Sequence, residues 1–225
     1  MNRLALRALL GLLNLFLILS VLIFVPAWSL AYPEGWLFLV SFFVPVLAIT
    51  LYFLQRDPEL IESRLRAGPV AEKERIQRII QALAGTCFLL VFIVAGTDHR
   101  LGWSEVPPSL VITGDLLVVL GLFIVFLVFR ENSYASAVIA VGRDQQVVST
   151  GPYAVVRHPM YAGAFVMLLG VPPALGSWWA FPFVFLLMAA IIWRLLEEER
   201  FLGEHLPGYH AYCEKTRYRL VPFIW

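Results

Sequence analysis

The chain has 225 residues, 60% of them hydrophobic and 15% charged, with a formal net charge of +1. A soluble domain carries about 25% charged and roughly 45–50% apolar residues, so one aqueous core does not account for this much apolar side chain. The near-zero charge excludes the bulk basic field that draws nucleic acid. Cys87 in an apolar run and Cys213 in a polar tail form neither a disulfide framework nor a metal-ligand spacing.

Six apolar segments follow in order, each read against the ~20 residues a helix needs to cross a bilayer. The first runs from about Leu4 to Ala27. It follows Arg3 and Arg7, and its core from Leu9 to Val25 exceeds the ~7–15 residues of a signal-peptide apolar region, which favours a retained first helix. The second, Gly35 to Leu54, contains no charge and is interrupted by Pro45. The stretch from Arg56 to Arg78 mixes acids and bases, a pattern that predicts a solvated loop with a short surface helix resting on headgroups and taking no part in a ligand site. The third segment runs from Ile79 to Thr97 and the fourth from about Pro108 to Phe129, with Asp115 in its first turns. The segment from Arg130 to Arg157 is too polar to span. The fifth, Met160 to Val171, is joined to the sixth, Trp178 to about Leu196, by Pro172-Pro173-Ala174-Leu175-Gly176. That pair predicts a tight helical hairpin. The expected fold is therefore all-α: a polytopic transmembrane bundle of about six apolar helices, the last two forming a short hairpin. Residues 1–130 are expected to form the scaffold and substrate access, and residues 131–225 the catalytic region.

Cytoplasmic loops collect Lys and Arg. With the N-terminus inside, all of the 17 basic residues except Arg100 fall on the cytoplasmic side. Both termini and the polar last third are then expected to be cytoplasmic, and Trp28, Trp36, Trp103, Trp178 and Trp179 form an outer aromatic belt.

The polar residues of the last third gather in three places. The first is Gln146, then Gly151-Pro152-Tyr153 and Arg157-His158-Pro159-Met160-Tyr161. Pro159 suits the first turn of a helix, with Arg157 and His158 just ahead of it. They serve there either as part of an anion site or as headgroup anchors. The second is Glu197-Glu198-Glu199 at the inner end of the sixth segment. Acids at a helix C-terminus oppose its macrodipole, so a cation such as Arg157, Arg194 or Arg200 must compensate. Glu199 is read as the solvated one, and either Glu197 or Glu198 as facing inward. The third is Tyr209, Tyr212 and Thr216 at helical spacing, followed by Arg217 and Pro222. Without a ligand, this third group reads as an amphipathic tail on the membrane.

Taken together, these residues resemble the isoprenylcysteine carboxyl methyltransferase family of membrane enzymes, whose C-terminal pattern is shared with phospholipid N-methyltransferases. The likeness begins near Arg130-Glu131-Asn132-Ser133 and departs at Leu206-Pro207-Gly208, where the family often has Phe-Gly. It implies S-adenosyl-L-methionine as cofactor, with Gln146, Tyr153, Arg157, His158, Tyr161, Glu197, Glu198 and Tyr209 around it. It also implies catalytic roles for Arg217 and Glu198, and a lipid-like or lipidated acceptor reached from the bilayer. Methyl transfer from a sulfonium is chiefly a matter of orientation, and such a cofactor calls for acceptors for its ammonium and ribose and aromatic faces near its cation. A sterol-reductase-like enzyme using NADPH shares the Gly-Pro-Tyr and Arg-His-Pro pieces and is one competing reading. A non-enzymatic membrane scaffold is the other.

Overall fold

The structure, a computed structural model, describes residues 3–65, 75–134 and 146–225. Of the basic residues counted above, Arg66, Lys73 and Arg143 lie outside these stretches. The described residues hold eight α-helices and no strand: α1 (Arg3–Ala27), α2 (Pro33–Arg56), α3 (Pro58–Leu65), α4 (Arg75–Leu101), α5 (Pro108–Glu131), α6 (Pro159–Ala174), α7 (Phe181–His205) and α8 (Tyr209–Lys215). Helices α1, α2, α4 and α5 are each long and apolar enough to cross a membrane. The expected hairpin is present as α6 and α7. At 16 residues, α6 is about 24 Å long, short of the ~30 Å hydrocarbon core.

Prolines set several helix starts. Pro33, Pro108 and Pro159 each stand in a first turn, where their missing N–H costs nothing and their fixed φ suits the helix. Helix α4 runs past its expected end at Thr97 because Asp98 is satisfied by tertiary partners. Its Oδ1 accepts from the Ser104 amide at 2.8 Å, and its Oδ2 accepts from the Ser104 hydroxyl at 2.6 Å and from Ser177. The Tyr32 hydroxyl donates to the Leu175 carbonyl. These contacts tie together the α1–α2, α4–α5 and α6–α7 turns at one end of the bundle.

A tight seam lies between α5 and α6. A Cβ on Gly121 would stand 2.5 Å from the Gly163 carbonyl oxygen, and one on Gly170 would stand 2.4 Å from the Gly114 carbonyl oxygen. Small residues at a helix crossing let backbones approach closely in lipid, and this contact fixes where α6 begins. Gly121→Val must therefore push the helices apart, at a cost of about 1–3 kcal/mol or more. A lower melting temperature in detergent is expected, whereas Gly85→Ala in α4, with nothing within 4 Å of its new Cβ, should leave melting unchanged or raise it. Elsewhere Ser41 of α2 is hydrogen-bonded to Asp115 of α5, which partners an acid set inside a span.

The loop helix α3 corrects an expectation. It does not merely rest on the surface: Leu60 is fully buried and Ile61 nearly so, in a cluster with Ala8 of α1 and Phe53 of α2, flanked by Phe126 and Phe129 of α5. Asp57 caps it by accepting from the Leu60 amide at 3.1 Å. Helix α3 thus docks at the same end of the bundle as the start of α6.

Candidate functional site

The hairpin brings the start of α6 beside the end of α7, because an up-and-down pair returns to the depth it left. Two clusters form there, one around Glu199 and one around Glu198. Adjacent helical residues point about 100° apart, so neighbouring carboxylates serve different neighbours.

Glu199 receives the segment ahead of α6 and the tail after α8. Its Oε1 accepts from Arg157 Nη1 at 2.9 Å and lies 3.3 Å from His158 Nε2, and its Oε2 accepts from Arg219 Nε at 2.8 Å. An ionised carboxylate only accepts, so His158 Nε2 carries a proton in this contact. Backbone pairing reinforces the junction: the Arg157 amide donates to the Tyr218 carbonyl at 2.8 Å and the His158 amide to the Arg219 carbonyl at 3.0 Å. Arg157 spends its other two nitrogens on the Thr216 and Arg217 carbonyls, both at 2.8 Å. All three guanidinium nitrogens of Arg157 therefore hold the tail against the hairpin.

The expectation that Glu199 is the solvated glutamate is overturned. Its side chain is 11% exposed, against 23% for Glu197, which sits 3.9 Å from the exposed Arg200. Burial alone would raise the Glu199 pKa. Hydrogen bonds from His158 and Arg219, with the Arg157 charge, overcome that and hold it at about 2. A group with a depressed folded pKa stabilises the fold fully above its unfolded value and loses that contribution as pH falls through the folded value. Between the ordinary 4.5 and about 2, the wild-type melting temperature should therefore fall more steeply than that of Glu199→Gln, as a melting series over that range will show.

The second cluster is set one residue earlier. The Tyr161 hydroxyl donates to Glu198 Oε2 at 2.5 Å, and Arg194 Nε donates to the Tyr161 oxygen at 3.2 Å. Arg194 Nη1 reaches Gln77 Oε1 of α4 at 3.3 Å. The His158 and Tyr161 rings stack at 5.7 Å, which joins the two clusters. His158, Tyr161 and Glu198 thus converge although about 40 residues separate them in sequence, and Glu197 points elsewhere.

The tyrosines close one side. Tyr153, in a 3₁₀ turn over Gly151–Ala154, accepts from Asn132 Nδ2 at 2.8 Å, and burial pushes its hydroxyl up to about 12. The Tyr212 hydroxyl donates to the Tyr153 carbonyl at 2.8 Å. Tyr209 packs with Leu206 and Tyr212, bordered by Val147, Tyr153, Leu202 and Cys213. The turn into α8 needs Gly208, whose φ is +85°; this is the chemistry of Leu206-Pro207-Gly208. The Tyr209 hydroxyl is buried, with the Cys213 thiol beside it and no oxygen or nitrogen partner among the described residues. A buried polar group normally finds a partner, and this one lies among aromatic faces near Glu198 and Glu199. Gln146 and Arg217 are exposed. Only the Arg217 carbonyl is engaged with the hairpin.

Sequence reasoning missed two residues. Arg219 is the second basic partner of Glu199, and its signal, a lone arginine after Arg217, was outweighed by the motif beside it. Arg64 of α3 also approaches the start of α6, from the loop between the second and third apolar segments. Its Nη1 stands 3.7 Å from Met160 Sδ and its guanidinium lies 5.2 Å from the Phe129 ring centre.

Comparison with known proteins bears on this same region. The Delta(14)-sterol reductase of Mus musculus is 26% identical over 105 residues, covering 43% of this chain and 25% of that protein. The chain thus spans about a quarter of the length of that curated relative. Residues 109–207, from the first turn of α5 through the end of α7, match the family model described as phospholipid methyltransferase.

Proposed function

We propose that the chain is an integral membrane methyltransferase that uses S-adenosyl-L-methionine to methylate a lipid-like or lipidated acceptor at the cytoplasmic face. The observation that carries this is the meeting of His158, Tyr161 and Glu198 on a hairpin that lies inside the stretch similar to phospholipid methyltransferases. When bound, the cofactor supplies a methyl group activated on a sulfonium.

The residues then divide the work. Glu198, with Glu197 and Gln146 at the rim, accepts hydrogen bonds from an ammonium or ribose. His158 and Tyr161 shape the wall against which the ligand rests. Tyr153 and Tyr209 present aromatic faces to a cation, and their high pKa values keep both hydroxyls neutral. Arg157, Glu199 and Arg219 hold the tail over the hairpin, so the site stays closed to water. Arg217, exposed beside them, is free to meet the acceptor at the bilayer surface. The short α6 leaves room for an acyl or prenyl chain to approach sideways from lipid.

The sidedness follows from the basic residues. A fluorescent protein fused after Trp225 should be bright and a periplasmic alkaline phosphatase fusion inactive; the reverse would place the site on the other face. For the activity, membranes containing the chain are incubated with S-adenosylmethionine labelled in its methyl group. Label should enter the lipid or lipidated-peptide fraction, and membranes without the chain should show none. Absence of label in every fraction contradicts the reading. The likeness to the sterol reductase favours a second reading, a reductase that draws hydride from NADPH. It predicts NADPH consumption and no methyl incorporation.

A further inference from the structure

The end of α5 carries two side chains that the roles above leave idle, and both hold the turn that presents Tyr153. Glu131 accepts from the Thr150 hydroxyl. A Cβ on Gly151, whose φ is +56°, would stand 2.9 Å from the Glu131 carboxyl carbon, so the turn sits directly on α5. Asn132, the next residue, reaches the tyrosine ring itself.

The chemistry of its neighbours orients the Asn132 side chain. Its Oδ1 accepts from the Tyr134 amide at 2.9 Å. A backbone amide only donates, which leaves Nδ2 to donate to the Tyr153 hydroxyl at 2.8 Å. The Asn132 amide donates to the Val128 carbonyl at 2.9 Å and closes α5. The side chain therefore bridges a fixed helix end and the far end of the Tyr153 ring. On the other side, the Tyr153 carbonyl accepts from Tyr212 at 2.8 Å, and Tyr153 borders the Leu206–Tyr209–Tyr212 cluster. Those contacts place the backbone and flank of Tyr153, while Asn132 holds the tip of its ring. Because the hydroxyl oxygen accepts from Asn132, its hydrogen points away from α5.

We propose that Asn132 is a positioning residue: it holds Tyr153 so that the ring face and the hydroxyl hydrogen stand fixed before the cofactor arrives. This assignment rests on the reading of the site as a methyltransferase with Tyr153 at the cofactor. Methyl transfer depends on orientation, and a wall residue held in advance spares the cost of ordering it on binding.

The test is a double-mutant cycle on the purified full chain in non-ionic detergent, read by isothermal calorimetry with S-adenosylhomocysteine. Asn132→Ala should weaken binding about tenfold. Tyr153→Phe, which keeps the ring and loses the hydroxyl, should weaken it by a similar factor. The double variant should lie within about twofold of Tyr153→Phe, because the two residues act as one unit. A merely structural role for Asn132, as the cap of α5, would cost the same in both backgrounds. Asn132→Ser keeps a hydroxyl for the Tyr134 amide and is too short to reach Tyr153. It should match Asn132→Ala, and it remains informative if the alanine variant does not fold. Undiminished affinity in both Asn132 variants overturns the proposal, and so does a loss that persists in the Tyr153→Phe background. Wild type without affinity for S-adenosylhomocysteine refutes the methyltransferase reading itself, whereas wild type that binds, with additive losses in the cycle, refutes only the role of Asn132.

Discussion

Replacing Glu199 by Gln is expected to release the tail from the hairpin and to cost about 3–5 kcal/mol, the usual penalty for removing one partner of a buried ion pair. The magnitude follows from what is left behind. Arg157, His158 and Arg219 all converge on this one carboxylate, and Gln can accept through only one oxygen and carries no charge. Arg157 and Arg219 would then face each other without compensation. Arg157→Lys should produce a smaller loss, since a lysine keeps the charge but cannot also reach the Thr216 and Arg217 carbonyls. Limited proteolysis reports the result directly. The junction around Leu206 to Thr216 should become cleavable in Glu199→Gln well below the melting temperature and stay resistant in wild type and in Glu197→Gln. Equal resistance in all three would mean that the tail is held by other contacts.

The second large effect concerns Glu198. Losing a carboxylate that accepts from a charged cofactor group removes about 1.5–3 kcal/mol, roughly tenfold to a hundredfold in affinity. Glu198→Gln should therefore weaken S-adenosylhomocysteine binding by that factor with little change in melting, because Gln still accepts from Tyr161. Glu197→Gln, at the edge beside Arg200, should change affinity by less than about threefold. Tyr161→Phe should resemble Glu198→Gln in part, since it removes the hydroxyl that aims the carboxylate. Calorimetry on the three purified variants settles the order. Glu197→Gln as the weakest binder would transfer the role to the neighbouring glutamate.

The three adjacent glutamates show how far the sequence reaches. Their helical spacing established that they point apart, and the hairpin established that one must meet the start of α6. Which one does so depends on the rotation of α7, and that is fixed by packing against α4 and by Arg219, twenty residues downstream, neither of which has a periodic signature. The α5–α6 seam, where Gly163 and Gly170 meet Gly121 and Gly114, was not legible, because a glycine in an apolar run gives no sign of what it faces. Helix starts were legible at Pro108 and Pro159, but α6 runs through Pro172 and Pro173 to Ala174, past its expected end at Val171, and Asp98 extends α4 because Ser104, six residues on, and Ser177 satisfy it. Arg64 failed for a related reason. A mixed-charge loop reads as solvated on composition, and only the burial of Leu60 shows that α3 turns one of its charges inward.

The most direct test of the account compares two ligands on the wild-type chain. In detergent, S-adenosylhomocysteine at a hundred times its dissociation constant should stabilise the fold by about 2.7 kcal/mol, seen as a clear rise in melting temperature, and the shift should shrink in Glu198→Gln. NADPH at the same concentration should produce none. Stabilisation by NADPH and not by S-adenosylhomocysteine would contradict the methyltransferase account and assign the hairpin site to a reductase.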